Sequence, residues 1–212
     1  MNTKQATLFG LIAAIYSLAT FFQPYAFSWV VKIVPMVILI TVSLKGSETK
    51  MEKLFSSGLI FSTVGDFFLG YDSDNWFIFG LGSFLIAHLF YMVSLGPIEK
   101  KRIKVVIFYF IYGLIMFSII APGLGKLFIP VLVYMSVLLL MGIFTLLSKK
   151  SNSWLIIGGL SFIVSDSLLG LNKFYSPFAY SNFLIIVTYY FAQFSLVNGV
   201  FKPKRPEYTL KS

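Results

Sequence analysis

Apolar residues come in eight long runs separated by short polar breaks: Ala6–Phe22, Phe27–Leu44, Leu54–Tyr71, Trp76–Leu95, Ile103–Ala121, Leu127–Leu147, Trp154–Leu171 and Phe178–Phe201. Each approaches the ~20 residues that a helix needs to cross a ~30 Å hydrocarbon core, with ~17 as the lower limit. The pattern predicts an all-α membrane protein, a single domain over residues 1–212 with eight transmembrane helices. The first run follows Lys4 as a signal peptide would. No small-residue cleavage site follows it and the next run begins almost at once, so it is read as a retained span.

The charges test that count. If the amino terminus is cytoplasmic, its side carries Lys4, Lys45, Lys50, Lys53, Lys100, Lys101, Arg102, Lys104, Lys149, Lys150, Lys202, Lys204, Arg205 and Lys211, fourteen of seventeen basic residues. The other side carries Lys126 and Lys173 and receives Asp72 and Asp74, while Lys32 falls inside the second run. This asymmetry is what the positive-inside rule predicts for eight spans with both termini cytoplasmic; one span more or fewer would destroy it. The net charge of +9 is therefore a record of topology. The basic residues gather on no single face, so no nucleic-acid partner is expected, and residues 202–212 read as a short basic tail.

One stretch occurs twice. Gly58 to Asp72 (GLIFSTVGDFFLGYD) and Gly158 to Asn172 (GGLSFIVSDSLLGLN), one hundred residues apart, match at Gly58/Gly158, Val64/Val164, Asp66/Asp166, Leu69/Leu169 and Gly70/Gly170. Ser83 to Tyr91 (SFLIAHLFY) echoes Asn182 to Tyr190 (NFLIIVTYY), and Pro35 has a counterpart in Pro130. The chain is thus expected to be two parallel four-helix repeats, about 6–95 and 103–201. Four spans return the chain to its starting side, so the third and seventh helices run the same way and place Asp66 and Asp166 at one depth.

A charged side chain at bilayer depth is expensive, so an acid there is by default a site hypothesis. Gly58, Ser62 and Gly70 lie four or eight residues from Asp66, a small-residue stripe of the kind along which membrane helices approach closely. Gly158, Gly159 and Gly170 do the same for Asp166, less completely. Both acids are expected to face the bundle interior. The other polar groups at comparable depth, Lys32, Ser83, His88, Tyr134, Tyr190 and Gln193, together with Asn172, are the candidate supporting residues. Tyr189 and Tyr190 also read as apolar bulk with one hydroxyl tied to a partner. The plain alternative for the acids is a structural pair, or a salt bridge to Lys32 that fixes helix packing.

Cysteine is absent, which removes thiolate chemistry, and His88 is the single histidine. A zinc site would have to lean on the two aspartates, so no metal and no cofactor is expected. Two carboxyls in a low-dielectric cavity do not readily both ionise and would hold one proton between them. That suits acetal-type chemistry through an oxocarbenium ion, and it suits a proton-coupled membrane transporter equally.

The phrases FSTVGDFFLG, FGLGSFLIAHLFY, VSDSLLGLNKF and TYYFAQ, with Lys32 to Pro35 (KxxP) and Ile129 to Tyr134 (IPVLVY), are similar in order and spacing to the YhhN-type lysoplasmalogenase family. The resemblance covers nearly the whole chain; Phe67 and Phe68 are bulkier than the small aliphatics expected there. It implies hydrolysis of the vinyl-ether bond of a lysophospholipid substrate, giving a fatty aldehyde and glycerophosphoethanolamine or glycerophosphocholine. Asp66 and Asp166 would then be catalytic. Asp166 is expected to be the anion, because Ser165 and Ser167 flank it, and Asp66 the acid. Lys32 would meet the lipid phosphate or tune the pair, and His88, Tyr190 and Gln193 would position water and substrate.

A diaspartyl intramembrane protease would need glycine where Thr63 stands, and a non-catalytic scaffold would tolerate asparagine at both acids. The Lys- and Phe-rich, cysteine-free composition fits a multi-pass protein of a bacterial inner membrane.

Overall fold

A computed structural model describes residues 1–99 and 104–201, with the backbone alone for Val105. The expected charges at positions 100–102 and in the tail at 202–212 lie outside the described residues. Within them the chain forms α1 (Thr3–Ala19), α2 (Ser28–Gly46), α3 (Lys50–Tyr71), α4 (Phe77–Leu95), α5 (Lys104–Ile120), α6 (Phe128–Leu147), α7 (Ser153–Phe174) and α8 (Ser181–Val200). Among the described residues these eight, with short 3-10 turns extending α1, α5 and α6, are long and apolar enough to cross a membrane. The protein is an all-α multi-pass membrane protein.

The helix starts are set by polar side chains where the sequence supplies them. Asn2 and Gln5 close a capping box on α1, Thr49 and Glu52 close another on α3, and Asn152 accepts from the Trp154 and Leu155 amides at the start of α7. Such caps satisfy amides that have no partner in the first turn. The Thr49 box starts α3 at Lys50, a turn before the apolar run begins at Leu54. Apolar length marks only the part of a helix that lies in lipid. Asp66 therefore lies farther along its helix than Asp166 does along its own.

Short connections force successive helices to alternate in direction, so α1, α3, α5 and α7 finish at one end of the bundle, where α2, α4, α6 and α8 begin. α3 packs along α4 and α7 along α8, with α2 against α3, α6 against α7, and α4 against α6 joining the halves; α5 lies at the edge against α6 and α7. Close approach follows the glycines. A methyl group on Gly58 would collide with the Tyr91 ring on α4, and one on Gly158 with Leu196 on α8. The interior is filled by Phe55, Tyr91, Met141, Phe162 and Leu196, all fully buried. Outward faces carry Leu11 and Ile15 of α1 and Phe108, Ile111 and Leu114 of α5, exposed as lipid-facing side chains must be. Helices are the form in which a chain can do this, since each pairs its backbone internally.

Candidate active site

Asp66 and Asp166 line a single cavity of about 780 Å³. It opens at the end of the bundle where α3 and α7 finish, and its polar rim includes Gln23, Asp72, Asp74, Asn172, Lys173 and Asn182. Tyr112 and Met116 of α5 and Met135, Leu138 and Leu139 of α6 form an apolar wall. Because α6 begins at the rim, its three wall residues lie roughly two to three turns below it. The carboxylates stand between rim and wall, roughly one and a half to two turns from the ends of α3 and α7.

The two acids have different neighbours. Asp66 is buried, and its Oδ1 lies 3.2 Å from the Lys32 Nζ on α2. The Tyr189 hydroxyl on α8 donates to its Oδ2 at 2.5 Å. Behind Tyr189, the Gln193 amide donates to the Tyr189 oxygen at 3.3 Å, the Tyr91 hydroxyl donates to Gln193 at 2.9 Å, and Tyr91 meets Ser62 at 3.1 Å. A run of polar groups on α3, α4 and α8 thus holds one tyrosine oxygen against one carboxylate.

Asp166 is partly exposed to the cavity. The Tyr134 hydroxyl on α6 donates to its Oδ2, and His88 Nε2 lies 3.3 Å from the same hydroxyl. Among the described residues no cation pairs with Asp166. His88 is fully buried, edge-on to Phe162, and its Nδ1 has no hydrogen-bond partner among the described residues. The flanking serines face elsewhere: Ser165 donates to the Ile185 carbonyl on α8 at 2.9 Å, and Ser167 donates to the Ile163 carbonyl at 2.7 Å and meets the Tyr112 hydroxyl at 2.6 Å. The expectation that serine hydroxyls solvate Asp166 is corrected. The helix turns both toward backbone and neighbouring helices, while Asp66 has the cation.

Of the candidate supporting residues, Lys32, Tyr134 and Asn172 reach the cavity wall. Lys32 is engaged with Asp66, and Asn172 accepts from the Phe178 amide at 3.3 Å, tying down the loop before α8. Ser83, His88, Tyr190 and Gln193 are buried outside the described lining. Ser83 turns its hydroxyl to the Phe79 carbonyl, and Tyr190 donates to the Lys32 carbonyl at 2.6 Å, in the turn that Pro35 loosens. His88 and Gln193 lie one layer behind the carboxylates, against the Tyr134 and Tyr189 hydroxyls. His88, Tyr190 and Gln193, expected to position water and substrate, do not reach the described lining: right depth in a span does not give the right radial direction.

Sequence reasoning read Tyr189 as apolar bulk with a tied hydroxyl and left it out of the supporting residues, although its four-residue spacing to Gln193 on α8 signals a shared polar face; it passed over Lys173, seven residues past Asp166 on α7. Among the described residues, no three His, Asp or Glu side chains converge in a way that could hold a metal ion.

The YhhN family model matches residues 27–200. A Mycobacterium bovis protein named lysoplasmalogenase is 34% identical over 125 residues, covering 55% of this chain and 48% of the relative. Human lysoplasmalogenase TMEM86A is 30% identical over 167 residues, covering 70% of this chain and 65% of the relative, and human TMEM86B is 27% identical over 167 residues, covering 73% and 66%. The chain spans about half the length of the mycobacterial relative and about two thirds of the human ones. No solved structure matches. Since the family match runs from the start of α2, which carries Lys32, to the end of α8, which carries Tyr189, it takes in both carboxylates and their charged and phenolic partners, and the chain belongs to the YhhN family.

Proposed function

We propose that this protein hydrolyses the vinyl-ether bond of lysoplasmalogens, with Asp166 as general acid and Asp66 as the anion. The observation that carries the reading is the single cavity in which two carboxylates with unequal partners stand between a polar rim and an apolar wall. A one-chain lipid with a polar head has that same division of character. The relatives named lysoplasmalogenase support the substrate class.

The chemistry follows from the two environments. Lys32 and the Tyr189 hydroxyl both complement a negative charge on Asp66. Asp166 faces the cavity with a phenol as its partner, and so carries the transferable proton. It protonates the vinyl carbon remote from oxygen, leaving an oxocarbenium ion that the Asp66 carboxylate stabilises across the cavity. Water adds to the cationic carbon and gives its proton to Asp66. In the hemiacetal, Asp66 returns that proton to the ether oxygen while Asp166 takes the hydroxyl proton. The C–O bond breaks, releasing aldehyde and glycerophosphoethanolamine or glycerophosphocholine, and both acids are restored.

The positive-inside rule places the end holding Lys45, Lys50, Lys149 and Lys150 in the cytoplasm, so the cavity opens toward the opposite face. The two halves are taken as parallel four-helix repeats, and a bacterial inner membrane suits the composition.

The test gives purified protein a vinyl-ether lysolipid and its acyl counterpart and assays aldehyde and free fatty acid. Aldehyde alone is expected, and Asp66→Asn and Asp166→Asn should each lower its release by at least ~100-fold, the scale of a lost acid or base. Most activity surviving in either variant, or substrate-dependent proton flux in liposomes with no aldehyde, overturns the mechanism.

A further inference from the structure

Lys32, the one cation paired with either carboxylate among the described residues, is held against Asp66 with its side chain only 12% exposed. It is committed to that charge, which leaves the phosphate of a lysophospholipid needing another partner. The cavity supplies one at its rim. Lys173 follows Asp166 by seven residues, so it lies on the same face of α7, roughly 10 Å nearer the opening. In glycerophospholipids the vinyl-ether carbon and the phosphorus are separated by six bonds, roughly 7 Å when extended. A lysine side chain spans the difference.

The lysine does not stand alone. Its Nζ donates to the Ser73 carbonyl at 3.0 Å, lies 3.2 Å from Asp74 Oδ1, and sits 4.9 Å from the centre of the Phe77 ring. Ser73 and Lys173 occupy corresponding positions one hundred residues apart, so this contact joins the ends of the two halves across the opening. The Asp74 side chain is 89% exposed. An ion pair so wetted holds weakly and can be exchanged for a ligand at little cost. Beside it, Asp72 accepts from the Asn75 side chain and from the Asn75 and Asp74 amides, and these bonds hold its carboxyl below the usual carboxylate range. The rim thus presents one cation and two anions within a single loop and helix end. This matches, with opposite sign, a phosphodiester followed a few bonds later by an ammonium group.

We infer that Lys173 and Asp74 form the head-group subsite: Nζ of Lys173 receives the phosphodiester, and the Asp74 carboxylate, freed from the lysine, receives the head-group ammonium. The inference rests on the lipid-hydrolase reading for its substrate class, and it assigns zwitterionic over anionic head groups. The lysine contact that crosses the opening in the free protein is exchanged for the ligand as the lipid seats.

Binding tests this without turnover. The probes are saturated-ether analogues, which lack the reactive double bond: 1-alkyl-lysophosphoethanolamine, 1-alkyl-lysophosphoglycerol and 1-alkylglycerol, titrated into detergent-solubilised protein, with aldehyde release from the matching vinyl ethers measured in parallel. Wild type should bind the two phosphate lipids roughly tenfold tighter than 1-alkylglycerol, the scale of one charge-assisted contact. Lys173→Arg should keep that ratio. Lys173→Gln, whose amide can still reach the Ser73 carbonyl and hold the loop, should bring it near one, and Asp74→Asn should erase the preference for ethanolamine over glycerol head groups. A ratio unchanged in Lys173→Gln, an ethanolamine preference unchanged in Asp74→Asn, or no phosphate preference in wild type overturns the subsite. Lys173-dependent binding with no aldehyde from any vinyl ether leaves the subsite standing and overturns the hydrolase reading.

Discussion

Asp66 and Asp166 occupy the same place in two copies of one motif, yet the structure surrounds them differently. Aligning Pro35 with Pro130 puts Lys32 opposite Leu127, and Tyr134 opposite Leu39. Aligning Ser83–Tyr91 with Asn182–Tyr190 puts His88 opposite Val187 and Tyr189 opposite Phe90. The carboxylate is duplicated and every group that touches it is not. A twofold pair would have no reason to give one carboxyl the proton. On the proposed mechanism, the cation in the first half and the Tyr134–His88 pair on the second acid separate a charge-bearing carboxylate from one that can donate.

The largest effect expected from that contrast is at Lys32. Removing one partner of a mostly buried ion pair leaves an uncompensated charge, which costs about 3–5 kcal/mol. Lys32→Met should therefore lower the melting temperature sharply, and adding Asp66→Asn should recover most of the loss without restoring activity. Combining Lys32→Met with Asp166→Asn should give simple addition, because no ion pair links them. A thermal-melt cycle in detergent reads all three. Equal coupling of Lys32 to both aspartates would erase the distinction between acid and anion.

The tyrosines sharpen the comparison at smaller scale. Asp66 keeps Lys32 when Tyr189 loses its hydroxyl, whereas among the described side chains Asp166 has Tyr134 as its hydrogen-bond donor. Tyr134→Phe should thus lower kcat by roughly tenfold and Tyr189→Phe by only a few-fold, the scale of a charge-assisted hydrogen bond. In stability the two losses should be comparable, since Tyr189→Phe strands the Gln193 amide and Tyr134→Phe strands His88 Nε2. Steady-state aldehyde release and melting of the two proteins decide it, and matching losses in kcat would count against the assignment.

The eight spans and the two acids were legible because each rests on a strong one-dimensional constraint: the length needed to cross lipid, and the cost of a charge within it. The glycine stripe told correctly that Asp66 turns inward, since Gly58 meets Tyr91 where a larger residue would not fit. The inner layer was less legible. Ser83, His88, Tyr190 and Gln193 sit at suitable depths, but which way each points depends on neighbours far away in the chain, such as Phe162 beside His88 and the Lys32 carbonyl that takes the Tyr190 hydroxyl. The polar start of α3 was missed because a capping box and two lysines lie outside lipid, where apolar counting has nothing to register.

Ser165 and Ser167 supply the smallest effect and a sharp discrimination, because adjacency in sequence made them the expected partners of Asp166. Their hydroxyls go instead to the Ile185 carbonyl of α8 and to the Ile163 carbonyl and Tyr112 hydroxyl. Ser165→Ala loses a bond between helices, a contact that averages about 0.6 kcal/mol in a membrane bundle, and should show up as a small drop in melting temperature. Ser167→Ala loses a bond within its own helix and a contact to α5, the edge helix, and should cost no more. Neither change reaches the Asp166 carboxylate, so kcat on the vinyl-ether substrate should stay within about twofold of wild type, well short of one lost charge-assisted contact. A tenfold fall in kcat with the melting temperature preserved would mean that a serine turns to Asp166 during turnover. The second carboxylate would then have its own means of carrying charge, and the division of labour between the halves would have to be reversed.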